Sequence, residues 1–265
     1  MDARAIKYRF GDPEFFDWLD ELADRFERPE FIQNDPIQVP HRFSKKQDIE
    51  VAGFFAALFA WGQRKTIINK ANELMDRMEN APYDFLLNSN EREWRVFQGF
   101  VHRTFNEDDA LGLLAFLKGW YQEHDTLETA FLVEEDGTWT ARYALKTFHK
   151  RVEQSDCLMG RTWKHIPSVE KGSTCKRLVM YLRWMVRSSE RGVDFGLWSK
   201  ISEKKLLLPL DVHVSRVAVE MDLLEQKKNY RWNDVEALGQ KLEISGRLDV
   251  ARYDFSLFGL GVKLV

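Results

Sequence analysis

The stretch of this sequence richest in groups that can do chemistry is Gly172–Arg187, GSTCKRLVMYLRWMVR. On a helix, Lys176, Arg183 and Arg187 fall at i, i+7 and i+11 and share one face, with Leu178, Tyr181, Leu182 and Met185 towards the other. A stripe of cations can neutralise phosphate, and the amides of Gly172 and Ser173, just ahead of a helix, can receive a phosphate oxygen. The same pattern also fits an amphipathic helix whose basic face is simply solvated. A second stretch, Leu206–Ala218 (LLLPLDVHVSRVA), runs apolar to Pro209 and then sets Asp211 where a helix should begin. Asp is a favoured N-cap, so Asp211 can be a working acid or only a cap for amides. His213 and Arg216, at i and i+3, share a face of that helix.

Two further places suit contacts to nucleic acid. Gln63 and Arg64 stand in a break between helical stretches, where Gln63 serves equally well as a cap of the preceding helix. His102-Arg103 precedes a helix start and is a candidate phosphate contact. Metal chemistry has little to build on. His41, His102, His124, His149, His165 and His213 show no HExxH-type or paired-ligand spacing, and Cys157 and Cys175 are too few for a four-thiolate cluster. The expectation is no metal and no organic cofactor.

Helices must position all of these groups. Pro13 opens a segment whose Phe15, Leu19, Leu22 and Phe26 form one stripe, and Pro29–Pro40 reads as a surface connection. Lys46–Trp61 is apolar nearly all round, as a central helix is, and Arg64–Met78 resumes as an amphipathic one. Asn106 followed by three acids marks a strong helix start, and Gly137-Thr138 precedes a helix through Arg151. Met159–Thr174 reads as a polar connection. Lys176–Ser188, Asp211–Leu224, Asn233–Leu242 (with an Asn233…Glu236 capping box) and Asp249–Leu260 complete the helices. No alternating strand pattern, repeat or low-complexity tract is present. The fold class is all-α.

With 265 residues the chain suits one large domain or two lobes. Its longest apolar run, Val51–Trp61, is far short of the roughly 20 residues that span a bilayer, and the first residues lack a secretory h-region. A cytoplasmic protein without membrane contact is expected. The net charge of −3 means that any nucleic-acid binding must use a local basic face.

Taken together, KRLVMYLRWM around Lys176 and PLDVHVSRVA around Asp211 resemble the helix-hairpin-helix base-excision glycosylases. The hallmark of that superfamily is a nucleophilic lysine followed by an aspartate that opens a later helix. Leu58–Gln63 resembles its early helix and Gln-containing turn, and Asp249–Val262 (DVARYDFSLFGLGV) its closing helix. The 35 positions between Lys176 and Asp211 are more similar to the archaeal 8-oxoguanine glycosylase branch than to the endonuclease III branch. The whole chain also resembles an uncharacterised bacterial family known only as a domain of unknown function, with the signature GSxCKR, LRWMVR, PLDxHV and YDFxLFGLG. One departure stands in the candidate hairpin Ile166–Lys171, where Ser168 and Glu170 replace glycines.

The resemblance implies a two-lobed helix-hairpin-helix glycosylase-like fold. One lobe would span 51–205 and the other 1–50 plus 206–265, with the cleft between them. It implies excision of a damaged base from duplex DNA, such as an oxidised purine, with AP-lyase activity, by a monomer. Lys176 would be the nucleophile and Asp211 its acid partner. Gln63, Arg64, His102, Arg103, Gly172, Ser173, Arg177, Arg183, His213 and Arg216 would contact DNA. Free lysine has a pKa near ~10.4, and burial or nearby cations such as Arg177 and Arg183 favour the neutral, nucleophilic amine. The flipped base calls for an aromatic surface, for which Trp61, Trp184 and Trp198 are candidates. The alternative is a non-catalytic nucleic-acid-binding protein on the same fold.

Overall fold

The computed structural model describes residues 6–90, 92–132 and 139–262. In chain order the helices are α1 (Phe15–Phe26), α2 (Lys46–Phe59), α3 (Arg64–Arg77), α4 (Pro82–Asn88), α5 (Glu107–Glu123) and α6 (Ala141–Gln154). They continue with α7 (Lys176–Val186), α8 (Val212–Glu220), α9 (Trp232–Glu243) and α10 (Tyr253–Gly261). Short 3-10 turns join many of them. A two-residue antiparallel hairpin, β1 (Val101–His102) against β2 (Phe105–Asn106), is the strand structure among the described residues. It is too short for alternation to be legible, so the chain is all-α. No helix of the described residues is long and apolar enough to cross a membrane.

The chain divides into two compact units. A central unit is continuous, Ile32–Ser168, and a terminal unit joins Met1–Phe31 with Val169–Val265. The helix of Lys176 therefore groups with the chain ends, rather than with a central lobe over 51–205. The physical reason is α7 itself: its arginines are paired with acids from the α1 end and the α10 approach, as described below. Lys176 and Asp211 consequently lie within one unit.

In the central unit α2 is buried from Asp48 to Phe59, which its unbroken apolar run requires. Glu50 in its middle is tolerated because its carboxylate accepts hydrogen bonds from the Tyr121 hydroxyl (2.8 Å), the Leu127 amide (3.1 Å) and the Thr126 hydroxyl (2.5 Å). Asn106 opens α5 through a reciprocal capping box with Asp109. Thr140 caps α6; Gly137 and Thr138, expected ahead of that helix, lie outside the described residues. The proline-rich segment is not a mere surface connection, because Pro36, Ile37, Val39 and Pro40 are buried. The same holds at Gly160–His165, where a 3-10 turn buries Thr162 and His165.

In the terminal unit the stripe of α1 is buried as expected, with Phe15, Leu19, Leu22 and Phe26 inward. α10 packs on both α1 and α8. The FGLG sequence near its end makes that possible: a Cβ on Gly259 would overlap the ring of Phe26, and one on Gly261 would meet the backbone of His213 at 2.9 Å. α9 begins at Trp232, and its back-bonded acid is Asp234, whose Oδ2 accepts the Arg231 amide at 2.7 Å. Glu236 instead accepts the indole N–H of Trp232 at 2.8 Å, because the helix starts two residues earlier than the Asn233…Glu236 box requires. Overpacking a close helix contact costs roughly 1–3 kcal/mol. Gly259→Ala should therefore lower stability by about that much in thermal or denaturant unfolding, and an unchanged midpoint would refute the contact.

Candidate functional site

The entry to α7 is backbone-limited. The Gly172 amide donates to the Val169 carbonyl at 3.0 Å, in a turn that holds Gly172 at φ +77°, with the Arg231 side chain lying against it. The Ser173 hydroxyl accepts the Cys175 amide at 3.1 Å. Cys175 is then left-handed at φ +49°, an uncommon conformation for a residue with a Cβ. This reversal makes Lys176 the first residue of α7. Cys175 itself is no nucleophile, since burial above all pushes its thiol up to about 12, against weaker pulls from Ser173 and Arg177.

From that position the Lys176 ammonium reaches 3.8 Å from Oδ2 of Asp211, and the two side chains remain 23% and 17% exposed. Asp211 is at once a helix cap and an ion-pair partner. Its Oδ1 accepts the amides of His213 (2.8 Å) and Val214 (2.9 Å) and so caps α8, which leaves Oδ2 to face the lysine. The 35 positions between the two residues are thus closed by a helix start on each side.

Behind this pair lies a buried cluster of charge. Arg183 is 3% exposed and Arg187 4%. Arg183 donates to Asp254 and pairs with Asp194 at 3.4 Å. Arg187 pairs with Asp194 (2.5 Å), Glu27 (2.7 Å) and Asp249 (2.8 Å). The Phe255 ring covers both guanidinium groups, its centroid 4.4 Å from Arg183 and 5.5 Å from Arg187. Burial raises Asp194 although both arginines pull it down. Burial likewise pushes the Asp254 carboxyl up to about 6, with Asp211 and Asp194 adding to the rise and Arg183 and Lys176 opposing it. Lys176, Asp211, Asp254 and Arg183 are therefore one electrostatic group.

The expected DNA contacts fare differently. Arg183 turns inward to carboxylates, so it does not contact a phosphate; the cationic stripe is real, but two of its three members are buried. His213 and Arg216 both reach the Gly261 carbonyl, His213 through Nδ1 at 3.3 Å, and thereby finish α10. Gly172, Ser173 and Arg177 are half-buried beside Lys176, and burial lowers the pKa of Arg177. Gln63, Arg64, His102 and Arg103 belong to the central unit. His102 is 1% exposed, has Nε2 3.1 Å from the Phe59 carbonyl and packs on the Phe59 and Trp61 rings, so it is a core histidine and no phosphate ligand. Arg103 is exposed, with its guanidinium over the Trp61 ring at 4.5 Å. Gln63 is exposed at the start of α3 and its side chain makes no cap, and Arg64 is half-buried as the first residue of that helix. Trp184 and Trp198 are buried core residues.

An open cleft of about 450 Å³ adjoins Asp211. Thr174, Ser215, Arg216 and the α8–α9 connection line it, and Lys227, Lys228 and Tyr230 come from that connection. QKKNYRW stands outside the motifs singled out above, although two lysines, a tyrosine and an arginine in one short run are a signal of a basic, aromatic loop. Among the described residues no group of three or more His, Cys, Asp or Glu is arranged to hold a metal ion.

The chain belongs to the family described as "Protein of unknown function (DUF2400)", whose profile matches residues 35–263. No curated protein and no solved structure matches it.

Removing one partner of a buried ion pair typically costs 3–5 kcal/mol, because the other charge is left in the interior. Asp194→Ala should therefore destabilise the terminal unit by roughly that amount in urea unfolding, far more than an exposed Asp→Ala change. Asp254 adds a pH dependence. Between its ordinary 3.8 and about 6 the folded chain holds a proton there that the unfolded chain has released. Its contribution to stability is thus fully present at low pH and is lost as pH rises through about 6. The unfolding free energy of the wild type, relative to Asp254→Asn, should fall across this window, and a flat difference would refute the shift.

Proposed function

We propose that this protein is a DNA glycosylase that removes a damaged base through Lys176, with AP-lyase activity, on a helix-hairpin-helix glycosylase-like fold. One observation carries the reading: the Lys176 amine and the Asp211 carboxylate, far apart in sequence, meet at 3.8 Å while both stay accessible from solvent. Lys176 also stands at the first position of a helix, where the helix dipole disfavours a cation. A fold has little structural reason to place it there, since at 3.8 Å the pair is longer than a hydrogen-bonded ion pair.

The chemistry uses both oxygens of Asp211. Oδ1 is engaged by the α8 amides, which holds the carboxylate in place; Oδ2 accepts the lysine proton and passes it to the departing base, and the carboxylate so restored stabilises the oxocarbenium-like sugar. The freed amine bonds to C1′ as the C1′–N bond to the base breaks, and the base leaves with a proton. Opening of the sugar ring gives an imine between Lys176 and C1′. Loss of a C2′ proton then expels the 3′ phosphate and cuts the strand. Gln63, Arg64 and Arg103 are proposed as further DNA contacts, with Arg103 and Trp61 offering an exposed cation beside an aromatic ring.

Borohydride trapping on lesion-bearing duplexes tests this directly, because reduction of the imine leaves protein and DNA covalently joined. The adduct should form with the wild type and vanish in Lys176→Ala. Asp211→Asn keeps an equally good N-cap, so it should stay folded while single-turnover excision falls by about 10²–10⁴-fold. Binding without any adduct, across oxidised, alkylated and abasic substrates, would sink the enzyme reading. A non-catalytic nucleic-acid-binding protein would then remain.

A further inference from the structure

The cleft beside Asp211 carries three cations that the lysine–aspartate pair does not use. Arg216, Lys227 and Lys228 line it against one lining carboxylate, Asp211, and with Asp234 paired to Lys227 the local charge is still net positive. The loop that supplies the lysines is internally held. The Tyr230 hydroxyl donates to the Glu225 carbonyl at 3.2 Å and accepts the Lys227 amide at 3.4 Å, while the Lys227 ammonium is tied to Asp234 at 2.6 Å. Arg216 is tied to the Gly261 carbonyl. Lys228 is exposed at the loop's tip. Thr174, which also lines the cleft, belongs to the segment that leads into Lys176.

Size and polarity both restrict the occupant. A cavity of about 450 Å³ falls among small-ligand sites and admits a nucleotide but no base-paired duplex. Phosphate is drawn to the Arg216–Lys227–Lys228 side and repelled by Asp211. A nucleotide seated with its phosphate on the basic loop therefore turns its sugar towards the carboxylate, the orientation that attack by Lys176 requires. Tyr230, from the same connection, also lines the cleft, and an aromatic ring there can receive a sugar or base.

We propose that this cleft holds the backbone phosphate of the extruded DNA nucleotide on Lys227, Lys228 and Arg216, and so sets the sugar in front of Lys176 and Asp211. The assignment rests on the glycosylase reading in that it takes the strand to be DNA. Lys227 and Lys228 are strand-positioning residues.

Equilibrium binding to a duplex with one abasic site, titrated with salt, tests it alongside borohydride trapping on the same duplex. Each lysine–phosphate contact contributes roughly 0.9 to the slope of log affinity against log salt. Lys227→Ala/Lys228→Ala should therefore reduce that slope by close to two, while the adduct yield at saturating DNA is kept. Lys227 also holds Asp234, so Lys228→Glu alone serves as the variant without a structural role. It should weaken binding more than tenfold at low salt with an unchanged melting temperature. An unchanged slope and affinity in both variants, with the Lys176-dependent adduct intact, overturns the cleft and leaves the glycosylase reading standing. A reduced slope without any adduct upholds the cleft and removes the catalysis. No affinity of the wild type for the duplex overturns both.

Discussion

Burying Arg183 and Arg187 in one helix obliges the rest of the terminal unit to bring carboxylates to them. Asp194 comes from the connection after α7, Asp249 from the approach to α10, Asp254 from the first turn of α10, and Glu27 from the end of α1. Unpaired guanidinium groups in a protein interior would be prohibitively costly, so these segments have no freedom to pack elsewhere. The cluster therefore ties both ends of the chain to α7. It also explains why the unit of Lys176 is discontinuous in sequence.

That constraint reaches the surface through helix geometry. Lys176 lies two turns before Arg183 on the same face, so a helix pinned at Arg183 and Arg187 has little rotational freedom at its first residue. The left-handed Cys175 sets where that first residue falls. On the other side, the amides at the start of α8 fix the Asp211 carboxylate through one oxygen only. A cap and a possible acid are usually competing explanations for such a residue. Here one carboxylate oxygen caps α8 and the other faces the lysine, and rigidity supplied by the cap holds that second oxygen in place.

The glycines of the closing helix serve the same end. Gly259 lets α10 sit directly on Phe26 of α1, and Gly261 lets its last turn meet His213 of α8. His213 and Arg216 then complete that turn by reaching its carbonyl. Residues that look like a polar face on α8 are thus partly committed to holding α10, the helix whose first turn carries Asp254. The path from α8 through α10 to Arg183 is a closed circuit of packing and charge, with the lysine–aspartate pair at its accessible edge.

By itself the sequence determined the helices, because a 3.6-residue period, a capping Asn or Asp and a proline break are local signals read within one turn or two. The buried stripe of α1, the enclosed α2, the Asn106 start and the Asp211 start were all legible on that ground. Partners were not legible, because what faces a stripe is set by segments far away in the chain. Arg183 looks like a phosphate ligand until Asp194 and Asp254 arrive, and His102 looks available until Phe59 and Trp61 enclose it. Only the tertiary structure decided that Lys176 and Asp211 share one unit and one accessible edge. The reason is energetic: the position of that edge follows from neutralising buried charge, and neutralisation is a property of the assembled interior.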